Sequence, residues 1–284
     1  MSRRPSLSVL LPSSLVADTP DLRQRTIKVG MVGRALAIFR VDRVCIYDDD
    51  DPKVRDQETQ ARMIVKILRY LEAPQYLRKY LFPRTRELRY VGILPPLRTP
   101  HHPLRDERVE GGDIREAFVL KVDGRGSVVE LGLPEKGVVD AQLEPGRRLT
   151  VRLGRRLGKD LRVVNQVSRG EIDEYWGFEV IRAGNLEEAV NELRVACVVG
   201  TSRHGQNLYE GTERIKSNNP SSVAVAFGGP YSGLDEICER QGIGVEKLFD
   251  VVVNTIPQQG TSTVRTEEAL IASLALLNVL LGGN

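Results

Sequence analysis

Short apolar runs alternate with helix-period patterns along the N-terminal part of the chain, each stopped by a recognisable breaker. Residues 7–11 (LSVLL) read as a buried strand ended by Pro12-Ser13-Ser14. Over residues 20–38, Ile27, Met31, Ala35 and Ile38 recur at helical spacing, which predicts a helix with that face turned inward. Gly30 and Gly33 interrupt this helix at about 1 kcal/mol each relative to Ala, so they are expected to serve close packing. Residues 41–47 (VDRVCIY) form the next predicted strand. The acidic run Asp48 to Asp51 closes it and reads as a solvated loop and helix N-cap in preference to a cation site. A helix over residues 54–71 comes next.

The texture changes after Leu81, where Pro83, Pro95, Pro96, Pro100 and Pro103 end helical order in an Arg-rich stretch. Five short strand patterns follow, at residues 117–122, 127–132, 137–141, 148–153 and 161–167, separated by glycine-containing turns as in a small all-β barrel. Helix–strand alternation then resumes. Strands are predicted at 178–182, 195–200, 222–227 and 248–253, and helices at 186–193, 208–216, 234–240 and 266–281. Strands flanked by helices imply a parallel sheet covered on both faces. The expected division is a discontinuous α/β domain over 1–90 and 173–284, with a barrel inserted at 91–172.

Composition adds limits. The 284 residues are 41% hydrophobic and 28% charged with a net charge of +3, which permits a nucleic-acid partner without demanding one. Cys45, Cys197 and Cys238 each lie in or beside an apolar run and read as small buried hydrophobes in a reducing compartment. No C-x-x-C or H-E-x-x-H occurs, and His101-His102 stands in a Pro-rich stretch without nearby Cys, so no metal site is expected. The start has no apolar signal region and no apolar run approaches membrane-spanning length. A soluble, cytoplasmic protein without membrane contact is therefore expected.

In an open parallel sheet, ligands lie at the carboxyl ends of the strands. Three consecutive predicted strands end in unusual loops: residues 199–205 (VGTSRHG), 226–233 (AFGGPYSG) and 253–267 (VNTIPQQGTSTVRTE). Their glycines let a ligand approach the backbone, and their hydroxyl and amide groups suit a polar, base-like molecule. Candidate binding residues are Thr201, Ser202 and Arg203 in the first loop and Gly228, Gly229 and Pro230 in the second. The third contributes Asn254, Thr255, Ile256, Gln259, Gly260, Thr261, Thr263 and Val264. The absence of G-x-x-x-x-G-K-[ST], and of a helix-opening G-x-G-x-x-G, disfavours nucleotide sites of those types. Without G-x-S-x-G or a convincing histidine base, a hydrolase triad is disfavoured too.

The last loop and the segment after it resemble the C-terminal signature of the SPOUT superfamily of trefoil-knotted methyltransferases. The matching parts are an Asn/Pro/Gly-rich strand end (254–260, NTIPQQG), a Ser/Thr-containing loop (261–267) and a terminal apolar helix (269–278, ALIASLALLN). Residues 29–42 (VGMVGRALAIFRVD) resemble the helix-to-strand motif of the SpoU branch. Arg34 falls on that branch's functional Arg, while Arg40 replaces its usual Gly and its upstream Asn is not evident; a salt-bridging Arg on an amphipathic helix is the alternative for Arg34. The order of sheet portion, inserted barrel and C-terminal segment resembles the archaeal and eukaryotic RNA methyltransferase branch of the superfamily. The resemblance spans residues 8–280.

That resemblance implies an α/β fold with a parallel sheet and C-terminal trefoil knot, plus an inserted small OB-like β-barrel. It implies S-adenosylmethionine as cofactor, a homodimer, and in-line methyl transfer to a ribosomal RNA base, with N3 of uridine favoured. Arg34 and Arg265 would then steady the target's phosphate or developing anion. Glu267 is the candidate base, its alternative role being to stabilise the first helical turn. The apolar positions Leu270, Leu274, Leu277 and Leu280 of the final helix suit either a dimer interface or the core.

Arginine density points to RNA independently. Arg98, Arg105, Arg147, Arg148, Arg152, Arg155 and Arg156 lie beside or within the barrel, where phosphate contact is expected; a solvated charged surface is the alternative. Tyr90, Tyr175 and Trp176 suit base stacking or packing. The rival function is a non-catalytic RNA-binding ribosome-assembly factor with a vestigial cofactor pocket.

Overall fold

A computed structural model describes residues 5–103, 108–124 and 126–282. The chain runs β1 (Ser6–Pro12), α1 (Leu22–Ile38), β2 (Arg43–Tyr47), α2 (Gln57–Glu72) and α3 (Arg78–Leu81). Five strands come next: β3 (Ile114–Asp123), β4 (Gly126–Glu130), β5 (Lys136–Val139), β6 (Arg148–Arg156) and β7 (Leu161–Gln166). The remainder is β8 (Glu179–Ala183), α4 (Leu186–Leu193), β9 (Cys197–Asn207), α5 (Leu208–Ser217), β10 (Ser222–Ala226), α6 (Leu234–Arg240), α7 (Val245–Leu248), β11 (Val251–Asn254) and α8 (Thr266–Leu281). The chain forms two compact units, one drawn from Met1–Arg69, Arg86–Pro96 and Phe178–Asn284, the other from Tyr70–Thr85 and Leu97–Gly177.

The first unit is built on a six-stranded sheet in the order β11-β9-β10-β1-β2-β8, and every pairing is parallel. β1 lies inside the sheet, with Val9 opposite Val225 on one side and Val44 on the other. Its run from Leu7 to Pro12 is buried throughout, the pattern of a strand covered on both faces. One core layer joins Leu10, Cys45 and Tyr47 of the sheet to Leu186 and Leu193 of α4 and Ile237 of α6. Burial pushes the thiols up, to about 12 for Cys45 and about 11 for Cys197 and Cys238, so all three behave as inert packing groups.

Two sequence expectations are corrected here. Of the four expected positions only Ala35 is buried; the inward face of α1 also holds Val29, Val32 and Leu36, whereas Ile27, Met31 and Ile38 are exposed. The helix carries apolar residues on both sides, and periodicity alone does not say which side meets the sheet. Gly30 does serve close packing: a Cβ there would lie 2.8 Å from Leu94 Cδ2 and 3.2 Å from Pro95 Cδ. The predicted strand at 248–253 divides into the helical turn α7 and β11.

The second unit contains a closed barrel in the order β3-β4-β5-β7-β6, with β3 also pairing β6 and the single parallel contact between β5 and β7. Ala117, Val119, Val129, Leu149, Val151 and Val164 fill it. A charged cluster around two buried carboxylates ties the unit together. Arg148 donates to Glu72 at 2.6 Å and 3.1 Å and to Glu116 at 2.5 Å, Thr150 Oγ1 and Trp176 Nε1 donate to Glu116 Oε1 at 2.7 Å and 2.6 Å, and His101 Nε2 lies 3.1 Å from Glu72 Oε1. Trp176 is thus buried and the half-buried Arg148 has its guanidinium occupied by Glu72 and Glu116, because carboxylates distant in sequence converge on them.

Burial alone drives the Glu72 carboxyl upward, but the Arg148 guanidinium and His101 outweigh it and hold it down from the ordinary 4.5 to about 2. The difference is on the order of 3 kcal/mol of folding free energy. Because the folded value lies below the unfolded one, this stabilisation is complete above pH 4.5 and lost as pH falls toward 2. Arg148→Met leaves buried carboxylates without their cation and is expected to destabilise this unit by about 3–5 kcal/mol at neutral pH, with the gap to wild type closing in acid. Denaturant titration followed by fluorescence of Trp176, the only tryptophan, measures it; an unmoved midpoint contradicts it.

Candidate functional site

The carboxyl ends of β10, β9 and β11 lie side by side in the sheet order. β9 and β11 start in plain parallel register, Val251 opposite Val199 and Val252 opposite Gly200. The next pair is Val253 with Gln206, so residues 201–205 of β9 leave the ladder before pairing resumes. Gly205 is where the strands meet again: a Cβ there would lie 2.4 Å from the Val253 carbonyl carbon and 2.8 Å from Asn254 N. The excursion is pinned from three sides. Thr201 Oγ1 donates to Ala226 O at 2.8 Å, Asn254 Nδ2 to Arg203 O at 2.8 Å, and His204 N to Ser202 Oγ at 3.2 Å. Bulges of this kind re-aim side chains and recur beside active sites.

The loop after β10 is tight because glycine permits it. A Cβ on Gly228 would come within 2.9 Å of both Gly233 Cα and Ser232 O, and Gly229 N donates to Ser232 O at 2.8 Å. The ends of β1 and β2 support it from below. Asp49 accepts from Ser14 Oγ at 2.6 Å, Ser14 N at 3.2 Å and Ser13 Oγ at 3.3 Å. Ser232 Oγ donates to Asp51 Oδ2 at 2.7 Å, and Arg240 Nη2 to Asp49 O at 3.0 Å. Burial pushes the Asp49 carboxyl up, against the pull of the Ser14 hydrogen bonds. Within the acidic run, Asp49 and Asp51 are therefore a buried brace for the β10 loop, while Asp50 stays exposed; Asp56 caps α2 instead, accepting from Thr59 N at 3.0 Å.

In the third loop, Asn254 Oδ1 accepts from Ile256 N at 3.0 Å and Thr255 Oγ1 lies 2.7 Å from Ser273 Oγ of α8. Thr266 Oγ1 donates to Gly228 O at 3.0 Å, joining the start of α8 to the β10 loop. The three loops enclose a cavity of about 370 Å³.

Most sequence-predicted residues converge on it. Thr201, Ser202, Arg203, Gly228, Gly229, Pro230, Asn254, Thr255, Ile256, Gln259, Thr263 and Val264 line the cavity. Gly260 and Thr261 belong to the same loop, where Gln259 Nε2 donates to Thr261 O at 2.9 Å, but both are exposed and outside the lining. Arg265 is the exposed N-cap of α8. Glu267 is buried against Lys28 Nζ at 3.0 Å, and that ammonium also meets Asp18 at 2.7 Å. Arg34 Nη1 donates to Pro96 O at 3.1 Å. Neither Glu267 nor Arg34 lines the cavity.

Of the arginines assigned to RNA, Arg98, Arg147, Arg152, Arg155 and Arg156 are exposed. Arg156 Nε lies 3.2 Å from Glu135, and Arg105 lies outside the described residues. The lining also holds residues beyond those expected from the sequence: His204, Tyr231 and Ser262 within the three loops, and Asp235 and Glu236 in the first turn of α6. Acids at a helix start read as ordinary dipole stabilisation, so nothing in the sequence marks these two. Among the described residues no group of three or more His, Cys, Asp or Glu could hold a metal, and no helix is long and apolar enough to cross a membrane.

An open parallel α/β sheet with a polar, glycine-lined cavity at three neighbouring strand ends defines a small-molecule-binding protein. The chain matches the family model described as "Putative RNA methyltransferase" over residues 6–277 and belongs to that family. It is similar to the 28S rRNA (uridine-N(3))-methyltransferase of Homo sapiens, 34% identical over 298 residues that cover 96% of this chain and 77% of that protein. The Mus musculus protein of the same name is 34% identical over 301 residues, covering 96% and 76%. Among solved structures, the SpoU methyltransferase AviRb from Streptomyces viridochromogenes, in complex with AdoMet, aligns at a TM-score of 0.35 and 11% identity, over 99% of this chain and 60% of that one.

The closure at Gly205 gives a direct check on the site. The atoms a new Cβ meets are backbone and cannot step aside, so Gly205→Ala is expected to cost about 1–3 kcal/mol, read from the urea unfolding midpoint. An unchanged midpoint would mean that β9 and β11 do not approach this closely.

Proposed function

We propose that this chain is an S-adenosylmethionine-dependent methyltransferase acting on N3 of uridine in ribosomal RNA, with the cofactor held in the strand-end cavity. The carrying observation is that cavity, enclosed by three pinned loops in a member of an RNA methyltransferase family. The names of the human and mouse relatives support uridine N3 as the acceptor.

The residues present fit the cofactor. A cavity of about 370 Å³ is within the size of small-molecule sites, roughly 300–1,000 Å³. Side chains at Gly228 or Gly229 would disturb the loop that walls the cavity, since Cβ atoms there would come within 2.9 Å of Ser232 O or 2.5 Å of Ser14 Oγ. When bound, the cofactor supplies a methyl group made electrophilic by its sulfonium. Backbone groups of Gly228, Gly229, Pro230, Asn254, Thr255 and Ile256 hold it, with Thr201, Ser202, Gln259, Thr263 and Val264 completing the wall and Gly260 and Thr261 shaping the third loop. The Asp235 and Glu236 carboxylates suit its ammonium and hydroxyl groups. The protein's task is alignment and charge stabilisation. Arg265 is assigned to an RNA phosphate, and Glu267, held by Lys28, is not assigned the base.

We read residues 254–265, which lead from β11 back to the β10 loop, as the trefoil knot, a rare exception to unknotted chains. The five-stranded closed order of the barrel is read as OB-like, with Arg98, Arg147, Arg152, Arg155 and Arg156 contacting RNA phosphates. Leu270, Leu274 and Leu277 are core, so the homodimer interface is assigned to the exposed Ile27, Met31 and Ile38 of α1 and Ile271, Leu276 and Val279 of α8; Arg34, on the same helix α1, is placed near it. The protein is assigned to the cytoplasm.

Mass mapping of ribosomal RNA with and without the gene is expected to lose one methyluridine in the deletion; an unchanged profile contradicts the reading. Calorimetry is expected to show S-adenosylmethionine binding to wild type and at least about tenfold weaker binding to Gly228→Val, a loss of about 1.4 kcal/mol or more. Equal affinities would move the cofactor elsewhere.

A further inference from the structure

The cavity is lined by one histidine. His101 and His102 belong to the other unit, and His204 is exposed on the stretch of β9 that leaves the ladder, where it lines the cavity. Arg203 Nε lies 3.0 Å from His204 Nε2. A guanidinium only donates, so Nε2 is the acceptor and carries the ring's lone pair, with the ring proton on Nδ1. The bulge that Gly205 closes, together with the Ser202 and Asn254 hydrogen bonds, holds this pair in place.

We propose that His204 is the general base that removes the acceptor proton, and that Arg203 stabilises the charge left on the acceptor's oxygens. This rests on the uridine-N3 reading above. An imide N–H gives up its proton only well above neutral pH, and its nitrogen becomes a good nucleophile as the proton leaves. The acceptor N–H replaces the Arg203 N–H at Nε2. The N3–H bond breaks and its proton passes to Nε2. The nitrogen electron pair forms the new N–CH3 bond while the S–CH3 pair stays on sulfur, so the sulfonium becomes a neutral thioether. The exposed imidazolium then returns the proton to solvent. Freed from the ring, the Arg203 guanidinium faces the acceptor oxygens, where negative charge develops. The other titratable groups lining this space are Asp235 and Glu236 of α6 and the Tyr231 phenol of the β10 loop. Asp235 Oδ2 takes Ser202 Oγ at 3.4 Å, and Glu236 accepts from Gly233 N. Carboxylates, ordinarily near pKa 4, are poorer matches to neutral pH than an imidazole, ordinarily about 6.5.

The test uses full-length wild type and His204→Gln with ribosomal RNA isolated from cells lacking the gene. The variant is expected to lose about 10²–10⁴-fold in kcat while binding S-adenosylhomocysteine in calorimetry as wild type does, and its rate is expected to keep rising with pH where the wild-type rate has levelled. A second readout needs no turnover: the His204 ring Cε1–H resonance in NMR is expected to shift when uridine is added to wild type saturated with S-adenosylhomocysteine. A variant as fast as wild type, or an unmoved resonance, overturns the role of His204 and leaves the uridine reading standing. Wild type that transfers no methyl to this RNA overturns the uridine reading, and the base with it.

Discussion

Between Val252 and Val253 the β11 strand advances one residue while its partner β9 advances from Gly200 to Gln206, and the site is organised around that mismatch. A continuous ladder would send Thr201 through Gly205 along the sheet as ordinary strand residues. The mismatch instead directs Ser202, Arg203 and His204 to the cavity formed with the β10 and β11 loops. It is tolerated because Gly205 lets two backbones approach at a distance no Cβ permits, and because the freed polar groups find partners in Ala226, Ser202 and Asn254. The Asp49–Ser14 brace plays the matching part under the β10 loop, so the cavity walls are set before any ligand arrives.

Features written locally were legible in the sequence. The bounds of α4, α6 and α8 follow from apolar spacing and breakers, and the site loops stand out because glycine, hydroxyl and amide residues crowd three strand ends. The features that escaped depend on partners far away in the chain. The break in β9 is defined by β11, which no reading of residues 197–207 contains. Arg148 reads as a surface cation until Glu72 and Glu116 are brought to it, and Asp49 reads as solvated until Ser14 is. The face of α1 was ambiguous for another reason: Ile27 and Met31 are as apolar as Val29 and Val32, and only the sheet decides which pair is buried.

Charge is used in two distinct ways. Within the barrel unit, the buried Glu72 and Glu116 share the half-buried Arg148, and losing that cation leaves uncompensated charge on groups removed from water. Arg147, Arg152 and Arg155 of the same unit are exposed, which suits phosphate contact that weakens with salt. Around the strand-end cavity, acid and base are mixed at close range, with Arg203 and His204 on β9 and Asp235 and Glu236 on α6. That mixture suits a zwitterionic ligand beside an acceptor that must lose a proton, and it is a poor match for a purely anionic phosphate ligand.

One cavity, at the ends of β9, β10 and β11, is assigned the methyl donor, and the rest of the functional reading hangs on that assignment. A crystal structure of the full chain grown with S-adenosylhomocysteine tests it most directly. Ligand density is predicted against the backbone of Gly228, Gly229 and Asn254 through Ile256. Density at any other place on the chain, with this cavity holding only solvent, would contradict it.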